Sequence, residues 1–342
     1  MAGGSSGICN LVNRVHICEC LKFLKRLPDA SIDFCMTSPP YWSMRDYEVK
    51  GQIGMEKTPE EYIEKLLNVF RELKRVLKDT GSFYLNLGDT YIGSACGYGQ
   101  KGKVKNTIEK TSPGYISENQ KPPSLISVDK NSWKKPKQLA LIPSRVAIAL
   151  QEDGWILRND ICWFKPNGLP SSVQDRLTNR WEHVFHFVKQ RKYYYNLDAI
   201  RGPQKAKSIK RVINRMKLQE RTGRPMTKIS KYYENENNVN YGASGFLKGR
   251  SLKGILNLKG KNPGDFWKIS VKSFSVPHFA VYPEELCSRP IKSSCPTGGI
   301  VFDMFSGSAT TLVVAKKLGR RFIGCDLNHD YVRIARKRLK TP

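Results

Sequence analysis

The sequence predicts an α/β protein built on one doubly wound sheet, mixed but mostly parallel. Three observations lead there. Short apolar runs rich in β-formers each stop at a small or acidic residue, and amphipathic helical stretches lie between them. The chain also closes on a strand–helix–strand–helix run over 299–339 with no strand after it, so the sheet is expected to be completed from the N-terminal segment.

Taken in order, 12–17 reads as a short strand, followed by a turn that carries Leu21, Leu24 and Leu27 on one side. A second strand over 32–36 stops at Thr37-Ser38-Pro39-Pro40-Tyr41-Trp42. Thr58-Pro59-Glu60-Glu61 is a capping box with proline at the first helical position. The helix it opens places Ile63, Leu66, Leu67, Phe70, Leu73 and Leu77 at helical spacing, and Gly81 is expected to end it. Strands follow over 82–87, 155–164 and 183–188, with a helix over 143–151. Near the end, 299–305 and 321–326 read as strands, 310–318 and 330–339 as helices. Two blocks break this regularity, 92–138 and 201–260. The expected division is 8–200 and 261–342 as two halves of one domain, with 201–260 as an inserted region.

With 58 Lys and Arg against 30 Asp and Glu, the net charge of +28 favours a polyanionic partner, nucleic acid ahead of membrane. The excess is concentrated in 201–260, where Lys205, Lys207, Lys210, Arg211, Arg215, Arg221, Arg224, Lys228 and Arg250 face only Glu220, Glu234 and Glu236. Tyr232, Tyr233, Tyr241 and Phe246 are interleaved there. A charge run is ordinarily a solvated face, but one this one-sided suits phosphate contact. The nine cysteines are scattered without a Cys-x-x-Cys pair, and the five histidines show no metal spacing, so no metal site is expected. Free cysteines inside apolar runs fit a reducing cytoplasm, and no apolar run approaches membrane-spanning length.

Two loops carry the candidate chemistry. Tandem prolines fix the backbone after Ser38 and leave the carbonyls of Ser38 and Pro39 free to accept, beside the ring of Tyr41. Fixed acceptors next to a stacking ring suit an exocyclic amine on a planar base. The second loop is Asp303-Met304-Phe305-Ser306-Gly307-Ser308-Ala309-Thr310-Thr311, between the penultimate strand and its helix. Gly307 lets the backbone turn sharply against a ligand. Asp326 ends the next strand at the offset usual for an acid that holds ribose hydroxyls.

Together these loops resemble the β group of amino-methylating DNA methyltransferases, in which a (Ser/Asp/Asn)-Pro-Pro-(Tyr/Phe) motif precedes an Asp-Pro-Phe-x-Gly-Ser-Gly-Thr-Thr cofactor motif. The chain keeps Asp303, Phe305, Gly307, Ser308, Thr310 and Thr311 and departs at Met304 and Ala309. Ala309 is tolerable there if its φ is negative. Asp175-Arg176-Leu177-Thr178-Asn179, Glu182, Tyr195-Asn196, His278-Phe279-Ala280 and Arg320-Arg321-Phe322-Ile323-Gly324 also resemble the family. The resemblance implies a seven-stranded Rossmann-like methyltransferase sheet in circularly permuted order, S-adenosylmethionine (AdoMet) as cofactor and double-stranded DNA as substrate. It points to a cytoplasmic restriction-modification system acting on the nucleoid, with a cognate restriction endonuclease as a further partner. Nothing in the sequence separates a monomer from a homodimer.

An exocyclic nitrogen is a poor nucleophile because its lone pair is delocalised into the ring. Acceptors on its protons favour the pyramidal form and stabilise the positive charge that develops. That role falls to the Ser38 side chain and the Pro39 carbonyl, with Pro40 stiffening the turn and Tyr41 stacking on a base extruded from the duplex. Cofactor contacts are expected from Glu19, Asp303, Phe305, Gly307, Ser308, Thr310 and Asp326, Glu19 standing where the family has Asp. The absence of a Pro-Cys dipeptide removes the nucleophile a C5-cytosine enzyme needs. In the family, Ser at the first motif position goes with cytosine N4 and Asp with adenine N6. Adenine-N6 transfer is the first alternative, and a catalytically impaired DNA-binding protein on the same fold the second. Glu182 and Asp175 read as structural polar contacts, and Trp42 as a core, hinge or pocket residue.

Overall fold

The computed structural model describes residues 6–44, 46–47, 49–92, 133–168, 170–171, 173–207, 209–210, 214, 221, 259–271 and 282–340. The expected positions Arg211, Arg215, Arg224, Lys228 and Arg250, the His278-Phe279-Ala280 match and most of the 92–138 block lie outside them. The chain divides into two compact units, Met1–Tyr195 with Asp265–Pro342, and Asn196–Gly264.

Among the described residues, the strands of the larger unit form a single eight-stranded sheet. Its strands are β1 (Arg14–Ile17), β2 (Ile32–Thr37), β3 (Leu77–Leu87), β4 (Ile156–Phe164), β5 (Trp181–Val188), β6 (Phe266–Lys268), β7 (Ile300–Asp303) and β8 (Arg321–Asp326). Their order is β1-β8-β7-β2-β3-β5-β4-β6. The pairings from β1 through β3 are parallel, β5 is antiparallel to both its neighbours, and β6 lies parallel to β4 on the edge. The first strand does complete the sheet: Val15 pairs with Gly324 and Ile17 with Asp326, three hundred residues away in sequence. Eight strands replace the seven expected, because the three-residue β6 is too short to show a period-two pattern.

The helices are α1 (Ser6–Cys9), α2 (Cys20–Leu24), α3 (Pro59–Val76), α4 (Ile142–Glu152), α5 (Glu284–Ser294), α6 (Thr310–Lys317) and α7 (His329–Lys340). One core layer packs α2, α3 and α4 on the sheet through Phe23, Leu66, Phe70, Val146 and Leu150. The opposite layer packs α5, α6 and α7 through Leu286, Ile291, Leu312, Val332 and Ala335. Alternation sorts the strand residues between layers: Phe83 and Leu85 go to the first, Tyr84 to the second. Thr58 caps α3 by accepting from the Glu61 N–H at 3.1 Å. Gly81 does not end α3. It lies inside β3, where a Cβ would meet Leu77 at 2.8 Å, so the close approach of the strand to its own start explains the glycine. Helix α5 escaped the sequence reading because it carries Pro290 internally.

In the smaller unit, Gly202 and Lys261 exchange backbone hydrogen bonds of 2.9 Å in both directions. Asp198 accepts from Arg201 at 2.6 Å and Lys259 at 2.7 Å. A Cβ on Gly260 would stand 2.3 Å from the Gly202 carbonyl, so only glycine permits this closure. Lys205, Lys207, Lys210 and Arg221 are exposed.

Candidate active site at the sheet switch point

Strands β2 and β7 are neighbours, yet each continues away from the other. The chain runs from β2 through α3 to β3 on one side, and from β7 through α6 to β8 on the other. This is the topological switch point of the sheet, where open α/β proteins place ligands at the carboxyl ends of the strands. Both candidate loops leave from those ends. Thr37, the last residue of β2, donates its hydroxyl to Asp303 Oδ1 at 2.7 Å, and Asp303 is the last residue of β7.

Asp303 is 1% exposed and serves as an internal brace. It accepts from the hydroxyls of Thr37, Thr311 (2.7 Å) and Tyr282 (3.2 Å) and from the Phe305 N–H (3.2 Å). Burial pushes its carboxyl up to about 6, against the pull of these donors. With four protein donors and almost no exposed surface, Asp303 braces the loop from beneath. Ser308 and Thr310 are likewise buried under the loop, where Arg338 of α7 donates to the Ser308 carbonyl at 2.6 Å and to both hydroxyls. Phe305, Gly307, Asp326 and Glu19 are the expected cofactor residues left with exposed surface. Gly307 adopts φ +48° and donates its N–H to Asp326 Oδ2 at 2.8 Å. Burial raises the Asp326 carboxyl above its ordinary range.

Glu19 caps α2, its oxygens accepting from the N–H groups of Leu21 (2.8 Å) and Lys22 (2.9 Å). The carboxylate is thereby held beside the end of β1, which pairs with β8. Ala309 has φ +66°, not the negative value that would make alanine comfortable. It heads α6 in the left-handed region, a strain of about 1–2 kcal/mol that a glycine would avoid.

On the β2 side, Pro39 is buried and the Pro40 carbonyl accepts from Tyr62 at 3.0 Å, which ties the rigid turn to α3. Trp42 is core: it is 1% exposed and donates its indole N–H to the Glu56 carbonyl at 2.9 Å. The Tyr41 hydroxyl donates to Glu182 Oε2 at 2.8 Å and lies 3.4 Å from both Ser38 Oγ and Asn86 Oδ1. Burial, then the Glu182 charge, pushes its phenol well above the ordinary tyrosine value. Gly88, just past β3, makes room for the Tyr41 ring, since a Cβ there would stand 2.7 Å from it. Lys165 pairs with the other oxygen of Glu182.

The sequence reading gave Thr37 no role of its own and missed Tyr282, Asn86, Lys165 and Arg338. Asn86 gave a signal, a polar residue in an apolar strand ahead of Gly88-Asp89. Arg338, one cation among many in a basic helix, gave none. Of the two strand histidines, His186 is buried, hydrogen-bonded to Ser82 at 3.1 Å and pushed down to about 3 by burial. His183 instead pairs with Asp160 at 2.9 Å. Among the described residues no cluster of His, Cys, Asp or Glu is placed to hold a metal ion, and no helix is long and apolar enough to cross a membrane.

The residues present fit AdoMet. A partly exposed ring, Phe305, follows the end of β7 in a sharply turned loop, and the carboxylates Asp326 and Glu19 stand at the ends of β8 and β1, the next two strands of the sheet, an apolar and acceptor set suited to an adenosine carrying a cation.

The DNA methylase family of N6 and N4 amino-methyltransferases matches residues 32–337. Type II methyltransferase M.Cfr9I of Citrobacter freundii is 34% identical, covering 94% of this chain and 86% of its own length. Type II methyltransferase M.SfiI of Streptomyces fimbriatus is 32% identical, covering 93% and 89%. Among solved structures, the PvuII DNA methyltransferase (cytosine-N4-specific) superposes with a TM-score of 0.57 at 19% identity, covering 95% of this chain and 85% of that one. The M1.HpyAVI–SAM complex gives 0.50 at 15%, covering 96% and 98%. The chain belongs to the N6/N4 DNA methylase family and is an AdoMet-dependent DNA methyltransferase of the type II restriction-modification kind.

Proposed function

We propose that this enzyme methylates the exocyclic N4 of cytosine in duplex DNA, acting on a base flipped out of the helix. The observation that carries the reading is the Thr37–Asp303 hydrogen bond, which joins the two loops at the switch point. A base bound on the Ser38–Tyr41 turn is thereby next to the loop that takes the cofactor. Ser38 at the first position of the motif supports N4 over adenine N6, and the cytosine-N4-specific name of the PvuII enzyme agrees with it.

When bound, AdoMet supplies a methyl group activated by its sulfonium. The chain's own residues do the rest. Ser38 Oγ and the Pro39 carbonyl accept the amino protons, which makes the nitrogen pyramidal and stabilises its developing positive charge. Tyr41, fixed by Glu182 and Gly88, stacks on the base. Phe305, Gly307, Asp326 and Glu19 hold the adenosine, and the braced turns keep donor and acceptor in line. The 201–260 block serves as the target-recognition region, and its basic residues, with Lys205, Lys207, Lys210 and Arg221 exposed on its described part, meet phosphates and fix its register on the duplex. Such an enzyme works in the cytoplasm beside a cognate restriction endonuclease.

Nucleoside mass spectrometry of duplex DNA incubated with enzyme and AdoMet tests the base. N4-methylcytosine is expected. N6-methyladenine would transfer the reading to the alternative substrate on the same fold, and no methylated base would leave a DNA-binding protein without turnover.

A further inference from the structure

The Tyr41 hydroxyl stands among three polar groups, and only one of them has a proton to give. Glu182 Oε2, at 2.8 Å, is a carboxylate oxygen and accepts. Asn86 Oδ1, at 3.4 Å, also accepts. The Asn86 amide is turned that way because its Nδ2 donates to Glu182 Oε2 at 3.1 Å and to the His183 carbonyl at 3.0 Å. Lys165 occupies the other carboxylate oxygen, which leaves Oε2 directed at the phenol. Tyr41 has one proton and gives it to Glu182. Its oxygen then has only lone pairs for the third neighbour, Ser38 Oγ at 3.4 Å. Ser38 in turn spends its single proton inward, on Tyr41. What it has left for a substrate is lone pairs.

We propose that Glu182 sets the polarity of the hydrogen-bond chain Glu182–Tyr41–Ser38, so that Ser38 meets the target base as an acceptor and selects an amino group over a carbonyl. Glu182 is thus a positioning residue that acts through Tyr41 without touching the base. The inference rests on the reading that Ser38 takes an amino proton of the base. It extends that reading by naming what prevents Ser38 from donating. Gly88 belongs to the same device. A Cβ there would press on the Tyr41 ring at 2.7 Å and stand 3.5 Å from the Glu182 carboxyl carbon, loosening the contact that orients the chain.

Glu182→Gln keeps the shape of the side chain but can turn an amide N–H towards Tyr41. The phenol then donates to Ser38, and Ser38 is left to donate towards the base. The test is a double-mutant cycle of Glu182→Gln and Tyr41→Phe, read as kcat and as KM for AdoMet and for DNA. With Tyr41 in place, Glu182→Gln is expected to lower kcat on the order of 10²-fold, with both KM values within about threefold of wild type. In the Tyr41→Phe background, where the chain is already cut, the same substitution is expected to cost nothing further. Equal losses in both backgrounds, or a Glu182→Gln enzyme with near-normal kcat, would overturn the proposal. A merely structural glutamate would give those equal losses along with a lowered melting temperature. If Glu182→Gln does not fold, Glu182→Asp against Glu182→Ala takes its place. Activity recovered by the shorter acceptor supports the polarity role, and equal loss in both refutes it. Ser38→Ala separates the two readings: near-normal turnover there removes the role of Ser38 itself, whereas an inactive Ser38→Ala beside an active Glu182→Gln removes only the role of Glu182.

Discussion

Replacing Thr37 with valine cuts the joint between the two halves of the site while keeping its shape. Thr37 is fully buried, and its hydroxyl reaches Asp303 at 2.7 Å across the β2–β7 boundary. A hydrogen bond to a charged acceptor is worth about 1.5–3 kcal/mol, and a neutral one about 1. Valine leaves Asp303 with the hydroxyls of Thr311 and Tyr282 and the Phe305 N–H. The cost therefore depends on whether the carboxyl is ionised. Asp303 sits at about 6 in the folded protein, above its ordinary 3.8. A raised folded-state value means its contribution is fully present below the unfolded value and is lost as pH rises through about 6. Losing a donor raises that value further, and each added unit is about 1.4 kcal/mol. Urea unfolding at pH 5 and pH 8 should thus show Thr37→Val destabilised by about 1 kcal/mol at the acid end and roughly 2–3 at the alkaline end. Equal destabilisation at the two pH values would refute the claim that Asp303 is a strained, ionised brace. No loss at either would remove the hydrogen bond as a structural element.

Gly88→Ala should lower turnover at least about tenfold, since the Tyr41 ring has to give way to a Cβ at 2.7 Å, while AdoMet affinity measured by calorimetry stays unchanged. Asp326→Ala should weaken AdoMet binding by on the order of 1–3 kcal/mol, because it removes both the proposed ligand acceptor and the partner of the Gly307 N–H. Glu19→Ala should show the same binding loss plus about 1 kcal/mol of stability for the lost α2 cap; a neutral result in calorimetry would take Glu19 out of the pocket. Specific DNA binding should fall steeply with salt, with a log–log slope near −5 if about six basic groups meet phosphates. A neutral linker in place of 201–260 should abolish that binding and spare AdoMet binding, and sequence-specific binding that survives would move recognition to 92–138.

Local signals determined much of this protein. Apolar runs over 32–36 and 321–326 are strands because they are too short and too β-rich to be buried helices, and Thr58-Pro59 starts a helix by capping its free N–H groups. The two loops stood out through residues of unusual backbone behaviour, stiff at Pro39-Pro40 and free at Gly307, since stiffness and sharp turns are written in single residues. What the sequence could not hold is anything set by packing across long separations. Whether alanine at 309 is comfortable depends on a φ that the Ser306 turn and α6 impose together. That Asp303 braces the site follows from Thr37, 266 residues away, and from Tyr282, which both donate to it. The edge strand β6 exists only because β4 offers it a ladder. The partnership of Tyr41 with Glu182 spans 141 residues and depends on β5 running antiparallel to β3, which brings the start of one strand to the end of the other. Sequence fixes what each residue can donate or accept; the tertiary fold alone decides which partner is there to meet it.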